Sequence, residues 1–192
     1  MNQIKFSLPI LALIFSINAV AQNKVVVVPL IENAPPGAIY VKSNGVKVGV
    51  YLGGYELGEG PIPYKALSLK EYFFAVLAHS GSIDAATLVY AGSNCTGTAY
   101  HPVYEYPDPP IAGTYIAANG FVFSSSNTGD IYYVPKGAQT NVRQVMSISL
   151  APEGTCDNYS SQTMVNSYPA LPNDPAVTGV QNSYALPLSA GF

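Results

Sequence analysis

The stretch Ile39-Tyr40-Val41-Lys42-Ser43-Asn44-Gly45-Val46-Lys47-Val48-Gly49-Val50 decides the fold class. Asn44 and Gly45 both tolerate positive φ, so they fit the two central positions of a type I′ turn, whose twist suits two antiparallel strands. A two-residue turn sets the register. Ser43 then faces Val46, Lys42 faces Lys47, Val41 faces Val48 and Ile39 faces Val50. That pairing puts the aliphatic side chains on one side and the lysines on a wet side.

Strand signals continue outward from this hairpin. Tyr72 to Leu77 and Ala86 to Tyr90 read as a pair joined across His79, Ser80, Gly81 and Ser82. Lys70, Glu71 and Ala75 favour a helix over Leu67 to Ala78, but the aromatic and β-branched residues Tyr72, Phe73, Phe74 and Val76 favour strand, and no capping box precedes them. Thr114 to Ala117, Phe121 to Ser124 and Ile131 to Val134 predict a three-strand meander, with turns at Asn119-Gly120 and Asn127-Thr128-Gly129-Asp130. Arg143 to Leu150 alternates, with Val142, Gln144, Met146 and Ile148 on one face and Arg143, Val145, Ser147 and Ser149 on the other. Pro169, Pro172, Pro175 and Pro187 interrupt the C-terminal residues, which are expected to lie extended along the surface or at sheet edges. The expected fold is all-β, an antiparallel sandwich or open barrel of short strands with long Gly/Pro loops.

Composition agrees. Only 10% of residues are charged and 48% are hydrophobic, with fifteen Tyr, seventeen Gly and sixteen Pro. Such a chain has enough apolar surface to fold and no basic run to neutralise phosphates, so nucleic acid is excluded as a partner.

The first residues read as an export signal. Lys5 gives a positive start, Ile10 to Phe15 an apolar centre, and Ala19-Val20-Ala21 a small-x-small cleavage site. Residues 1–21 are therefore expected to be removed, leaving residues 22–192, about 170 residues, as a single β-rich domain. Periplasm, cell surface and extracellular space are the expected destinations. The run Val25-Val26-Val27-Val28 before Pro29 predicts a first strand near a sheet edge.

In an oxidising compartment the only two cysteines, Cys95 and Cys156, predict one disulfide. Closing a loop of about sixty residues would stabilise the fold by about 4 kcal/mol in the chain-entropy model. Cys95 with His101 as a thiol nucleophile would need a reduced cysteine, and no metal-ligand spacing accompanies them. His79-Ser80 lacks the turn of a serine hydrolase. Asp84, Asp108, Asp130, Asp157 and Asp174 stand singly in turns. No catalytic residue, metal site or cofactor is called for.

Tyr100, Tyr104 and Tyr106 alternate and are the candidate binding residues, since a tyrosine row offers flat apolar faces with polar tips to a glycan or protein surface. Packing within a sheet is the competing account of the same row. Asn94-Cys95-Thr96 and Asn158-Tyr159-Ser160 match the glycosylation pattern. Tyr184, Leu186, Leu188, Ala190 and Phe192 alternate to a terminal aromatic, as in an outer-membrane barrel, but Pro187 interrupts the run. Membrane association is not favoured.

The export start, the Val-rich run, the Asn44-Gly45 hairpin and the loop Ser93-Asn94-Cys95-Thr96-Gly97-Thr98-Ala99-Tyr100 resemble a group of exported bacterial β-rich proteins, some tail-fibre-like or surface-located. The resemblance implies no particular activity. The leading expectation is an exported non-enzymatic β domain for surface attachment, binding or assembly. The alternatives are a glycan-acting hydrolase, which requires carboxylates or a histidine and an acid to meet in a cleft, and a small outer-membrane β-barrel.

Overall fold

A computed structural model describes residues 37–54, 63–103 and 119–192. The export signal, the Val25 to Ile31 run, the Thr114 to Ala117 strand, Tyr104, Tyr106 and Asp108 lie outside the described residues. The rest is all-β, in two sheets.

The larger sheet begins with the Asn44-Gly45 hairpin. Strands β1 (Tyr40–Ser43) and β2 (Val46–Gly54) are joined with φ of 46° at Asn44 and 81° at Gly45, both positive as a type I′ turn requires. Ser43 faces Val46 and Lys42 faces Lys47 as expected, but a bulge then shifts the register, so Val41 faces Gly49 and Tyr40 faces Val50. The shift places Gly49, which the next strand approaches closely, opposite Val41. A Cβ on residue 49 would sit 2.7 Å from the Leu67 carbonyl oxygen, so the residue opposite Val41 has to be a glycine. The aliphatics consequently do not share one side: Val41 and Val50 are buried on opposite faces, while Val46 at the tip is 67% exposed. The lysine side is wet at the turn, where Lys47 is exposed with its Nζ 3.8 Å above the Tyr40 ring and the half-buried Lys42 donates to the Phe192 carbonyl oxygen, but farther along it Val50, opposite Tyr40, is buried.

Strands β3 (Pro63–Ser68) and β4 (Tyr72–Leu77) follow as an antiparallel pair. Helix loses over this stretch because Glu71 turns the chain with φ of 63°, while the Ser68 hydroxyl accepts from the Lys70 and Tyr72 amides. The expected partner of β4 is corrected: only Ile83 bridges back to Val76. Beyond it β5 (Ala85–Ala86) runs beside β8 (Gly120–Ser125), and β6 (Leu88–Tyr90) enters the second sheet. Strand β8 pairs antiparallel with β9 (Ile131–Pro135), as the meander predicts, and parallel with β4. The sheet is therefore mixed.

Strands β7 (Ala99–Pro102), β10 (Asn141–Leu150) and β11 (Thr155–Pro169) join β6 in a closed ring of order β10-β11-β7-β6. Strand β11 is fifteen residues long, far from the short strands expected. The simple alternation of β10 is broken by a bulge between Val145 and Ser147, and Val145, Ser147 and Ser149 are all fully buried. Ser147 and Ser149 face Tyr90 and Leu88, which lie with Ala99, Phe123 and Val134 in the core between the two sheets.

The proline-rich C-terminus does reach the sheet edges, but it also crosses a face. Strand β12 (Leu171–Pro172) pairs with β9 at one edge, and β13 (Leu188–Gly191) pairs with β1 at the other. Between them runs a strap containing a single helical turn, α1 (Pro175–Thr178), capped by the Asp174 carboxylate accepting from Ala176 N–H. Strap residues Val180 and Tyr184 enter a core with Val41, Phe74, Val76 and Val122. Tyr184 stacks on Phe74 at 5.8 Å between ring centroids, and burial pushes its hydroxyl up to about 12. Serines fasten the strap: Ser68 donates to the Thr178 carbonyl oxygen at 2.5 Å and Ser43 to that of Ala185 at 2.8 Å. At Gly81 the approach is so close that a Cβ would lie 2.0 Å from the Tyr184 carbonyl oxygen.

Candidate binding face

The loop from residue 91 to 98 closes on itself through Ala91 N–H to Thr98 O and Gly92 N–H to Thr96 O, both 3.0 Å. Asn94 and Cys95 each adopt φ of 55°, which turns their side chains toward β10 and β11. Three fastenings meet there. Cys95 bonds Cys156 with an S–S distance of 2.01 Å. The Ser147 hydroxyl accepts from Cys95 N–H at 2.9 Å and donates to Gly92 O at 2.6 Å. Asn158 accepts from Asn94 N–H at 2.6 Å, and its Nδ2 donates to Asn94 Oδ1 at 2.7 Å. The two asparagines of the glycosylation pattern thus occupy one another.

This bracing holds a β10–β11 ribbon whose outer side is neutral. Cross-strand partners share a side, so Val142 lies beside Asn166 and Gln144 beside Met164. Val142 and Met164 are each 62% exposed, and Gln144 and Asn166 are exposed too. Gln144 Nε2 donates to Gln162 Oε1. An apolar pair set among amides, with no charge, can lie against a flat polar partner while its amides exchange hydrogen bonds with it.

The opposite side of the ribbon faces the interior of the small barrel. There Arg143 pairs with Val165, Val145 with Thr163, and Asn141 with Ser167, while Ser167 also faces Pro102 of β7. Tyr100 faces Pro169 and Val89. The candidate residue Tyr100 is half-buried, with the Arg143 guanidinium carbon 5.1 Å from its ring centroid. Sequence reasoning missed Arg143, and nothing local could have revealed it, because β11 lies between its strand and that of Tyr100. Its Nε is buried without a hydrogen-bond partner.

Among the described residues the acid and base candidates do not assemble. His101 points to the other side of β7, its ring centroid 5.2 Å from that of Phe121 and 5.1 Å from that of Phe123. Its Nδ1 is buried with no partner. Burial lowers its pKa to about 4, only partly opposed by the Pro102 backbone. His79 sits exposed in the turn after β4. Asp84 is half-buried and accepts from Ala85 N–H at 3.0 Å; burial raises its carboxyl, against the pull of that bond and of Lys65. Asp130, Asp157 and Asp174 are exposed, Asp174 serving as the cap of α1. Among the described residues no group of three or more His, Cys, Asp or Glu could hold a metal ion. The disulfide removes Cys95 as a nucleophile.

Compared with known proteins, the chain matches no protein-family model, no curated protein and no solved structure.

Proposed function

We propose that the chain is an exported, non-enzymatic β module for surface attachment, binding or assembly, and that it meets its partner through the outer side of the β10–β11 ribbon. The observation that carries this reading is the exposed, uncharged Val142 and Met164 pair among amides, braced from behind by the Cys95–Cys156 bridge and the Asn94–Asn158 bonds. A rigid neutral face loses little entropy on contact. The disulfide accords with an oxidising destination, and the likeness of the Ser93 to Tyr100 loop to exported surface proteins agrees with it. The larger sheet also favours a module over a spanning barrel. Its strand order runs openly from β12 to β13, and it packs apolar residues on both faces, under the strap and against the small barrel.

The test uses mature protein labelled with a fluorophore and incubated with intact cells of its producer. Substituting Val142→Asp together with Met164→Asp leaves the fold intact, because both side chains point to solvent, and is expected to abolish retention on the cells. Retention equal to that of the unaltered protein would overturn the assignment of this face. Export is checked separately: mass spectrometry of the protein in the envelope or medium should find Gln22 at its start, and a carbonate wash should release it. Recovery of an intact Met1 form from cytoplasm would overturn export.

A further inference from the structure

We propose that Arg143 and Tyr100, inside the mouth of the small barrel, form a binding site for a singly charged carboxylate of the kind carried by uronic acid sugars. This site lies on the inward side of the ribbon and does not depend on the outer side binding anything.

Arg143 is the only arginine of the chain. It is half-buried, its Nε has lost water without gaining an acceptor, and its one described contact is with the face of the Tyr100 ring. Burying the Nε–H of a guanidinium without an acceptor is costly, and contact with an aromatic face returns only part of that cost. The missing partner is an acceptor, because a guanidinium donates and never accepts, and the positive charge favours an anionic one.

The surroundings specify which anion. Val89, Val145 and Ser167 lie fully buried on the same interior side, so water is excluded from that side of the barrel, and a small group suits it better than a large one. The fork of Arg143 matches the planar, two-oxygen geometry of a carboxylate. A phosphate dianion is disfavoured, since a single arginine would face two charges in a protein whose net charge is -3. Around the mouth stand Asn141, exposed, and Thr163, half-exposed, which provide amide and hydroxyl groups suited to the hydroxyls of a sugar ring that stays outside while its carboxylate enters.

The only arginine also provides a specific probe, because its Nε–H gives a single resonance in a nitrogen-15 spectrum of the mature protein. Titration with sodium D-glucuronate should move that resonance saturably, while D-glucose should leave it in place. Arg143→Gln should weaken glucuronate binding by roughly tenfold or more, read from the amide resonances of Asn141 and Thr163. Arg143→Lys, which keeps the charge and loses the fork, should recover only part of it. Amide spectra of both variants establish that they are folded. The proposal is overturned if glucuronate leaves the Nε–H resonance unmoved, if glucose moves it equally, or if folded Arg143→Gln binds glucuronate unchanged. Inorganic phosphate or N-acetyl-dialanine binding more tightly than glucuronate would overturn the assignment to a uronic acid. Failure of any of these leaves retention on cells through Val142 and Met164 untouched, so the two readings fail separately.

Discussion

The strap face of the large sheet and the small barrel solve the same problem by opposite means. Under the strap, Val41, Phe74, Val76 and Val180 are fully buried, and buried serines close their hydrogen bonds onto strap carbonyls. The barrel is stapled instead: a disulfide, one bridging serine and an asparagine pair fasten a loop to its long strands. Among the described residues, the two buried side-chain atoms that lack a partner, His101 Nδ1 and Arg143 Nε, belong to its strands. Among the described residues, every buried polar side chain under the strap is satisfied, and the chemically unfinished groups sit where covalent bracing can carry them.

The largest effect expected from this contrast is at Phe74, fully buried and stacked on Tyr184. Phe74→Ala should cost ~3–5 kcal/mol in urea unfolding, because the cavity lies between sheet and strap. Removing the disulfide by Cys95→Ser with Cys156→Ser frees a loop with a sequence separation of 61 in the unfolded chain. The cost should be about 2–4 kcal/mol. If the double serine variant proves the less stable of the two, the assignment of greater stability to the strap face is wrong.

Some of this contrast is readable in the amino-acid order and some is not. Asn44-Gly45 announces its hairpin because a two-residue turn is a local matter, and two cysteines in an export context leave one pairing. The register beyond Lys42 and Lys47 is not local. It shifts by a bulge between Val41 and Lys42, on a strand whose Gly49 is itself held against the Leu67 carbonyl of a third strand. Tyr72 to Leu77 reads correctly as strand from its aromatics, yet its main neighbours are β3 and β8, chosen by packing and not by proximity along the chain. Ser147 and Ser149 look like surface residues. They are buried because Cys95, Gly92 and Ser126 supply partners for their hydroxyls, and those partners come from distant turns. Tyr100 is recognisable as a candidate, but the cation above it is not.

His101 should make the barrel side the acid-sensitive one. Its ordinary value is 6.5 and burial lowers it to about 4 in the folded protein, so the unfolded chain binds the proton first as pH falls. Stability should therefore decline from about pH 6.5 to about pH 4 and then level off, for a total of about 3 kcal/mol. Asp84 works in the other sense, since its raised carboxyl takes up a proton on folding and gains stability as pH falls through its range. His101→Leu separates the two. Urea unfolding across this range should show the decline in the unaltered protein and lose most of it in the variant; identical slopes would mean that the ring exchanges protons freely with water.

The smallest effect tests whether the barrel depends on its covalent staple or on the polar bonds beside it. In Asn158→Asp the Nδ2 donor facing Asn94 Oδ1 becomes an acceptor, so two oxygens oppose each other across what is now a 2.7 Å bond. The site is exposed and water can intervene, which limits the loss to about 1 kcal/mol with the disulfide formed. The same substitution in the double serine variant should cost more. With the Cys95–Cys156 link gone, the Asn94–Asn158 and Cys95–Ser147 bonds are what still hold the loop, and losing one lets the other open. A double-mutant cycle in urea measures that coupling. An equal cost in both backgrounds would show that bridge and amide pair act independently, and that the barrel side is held by separate contacts, not by one cooperative clamp.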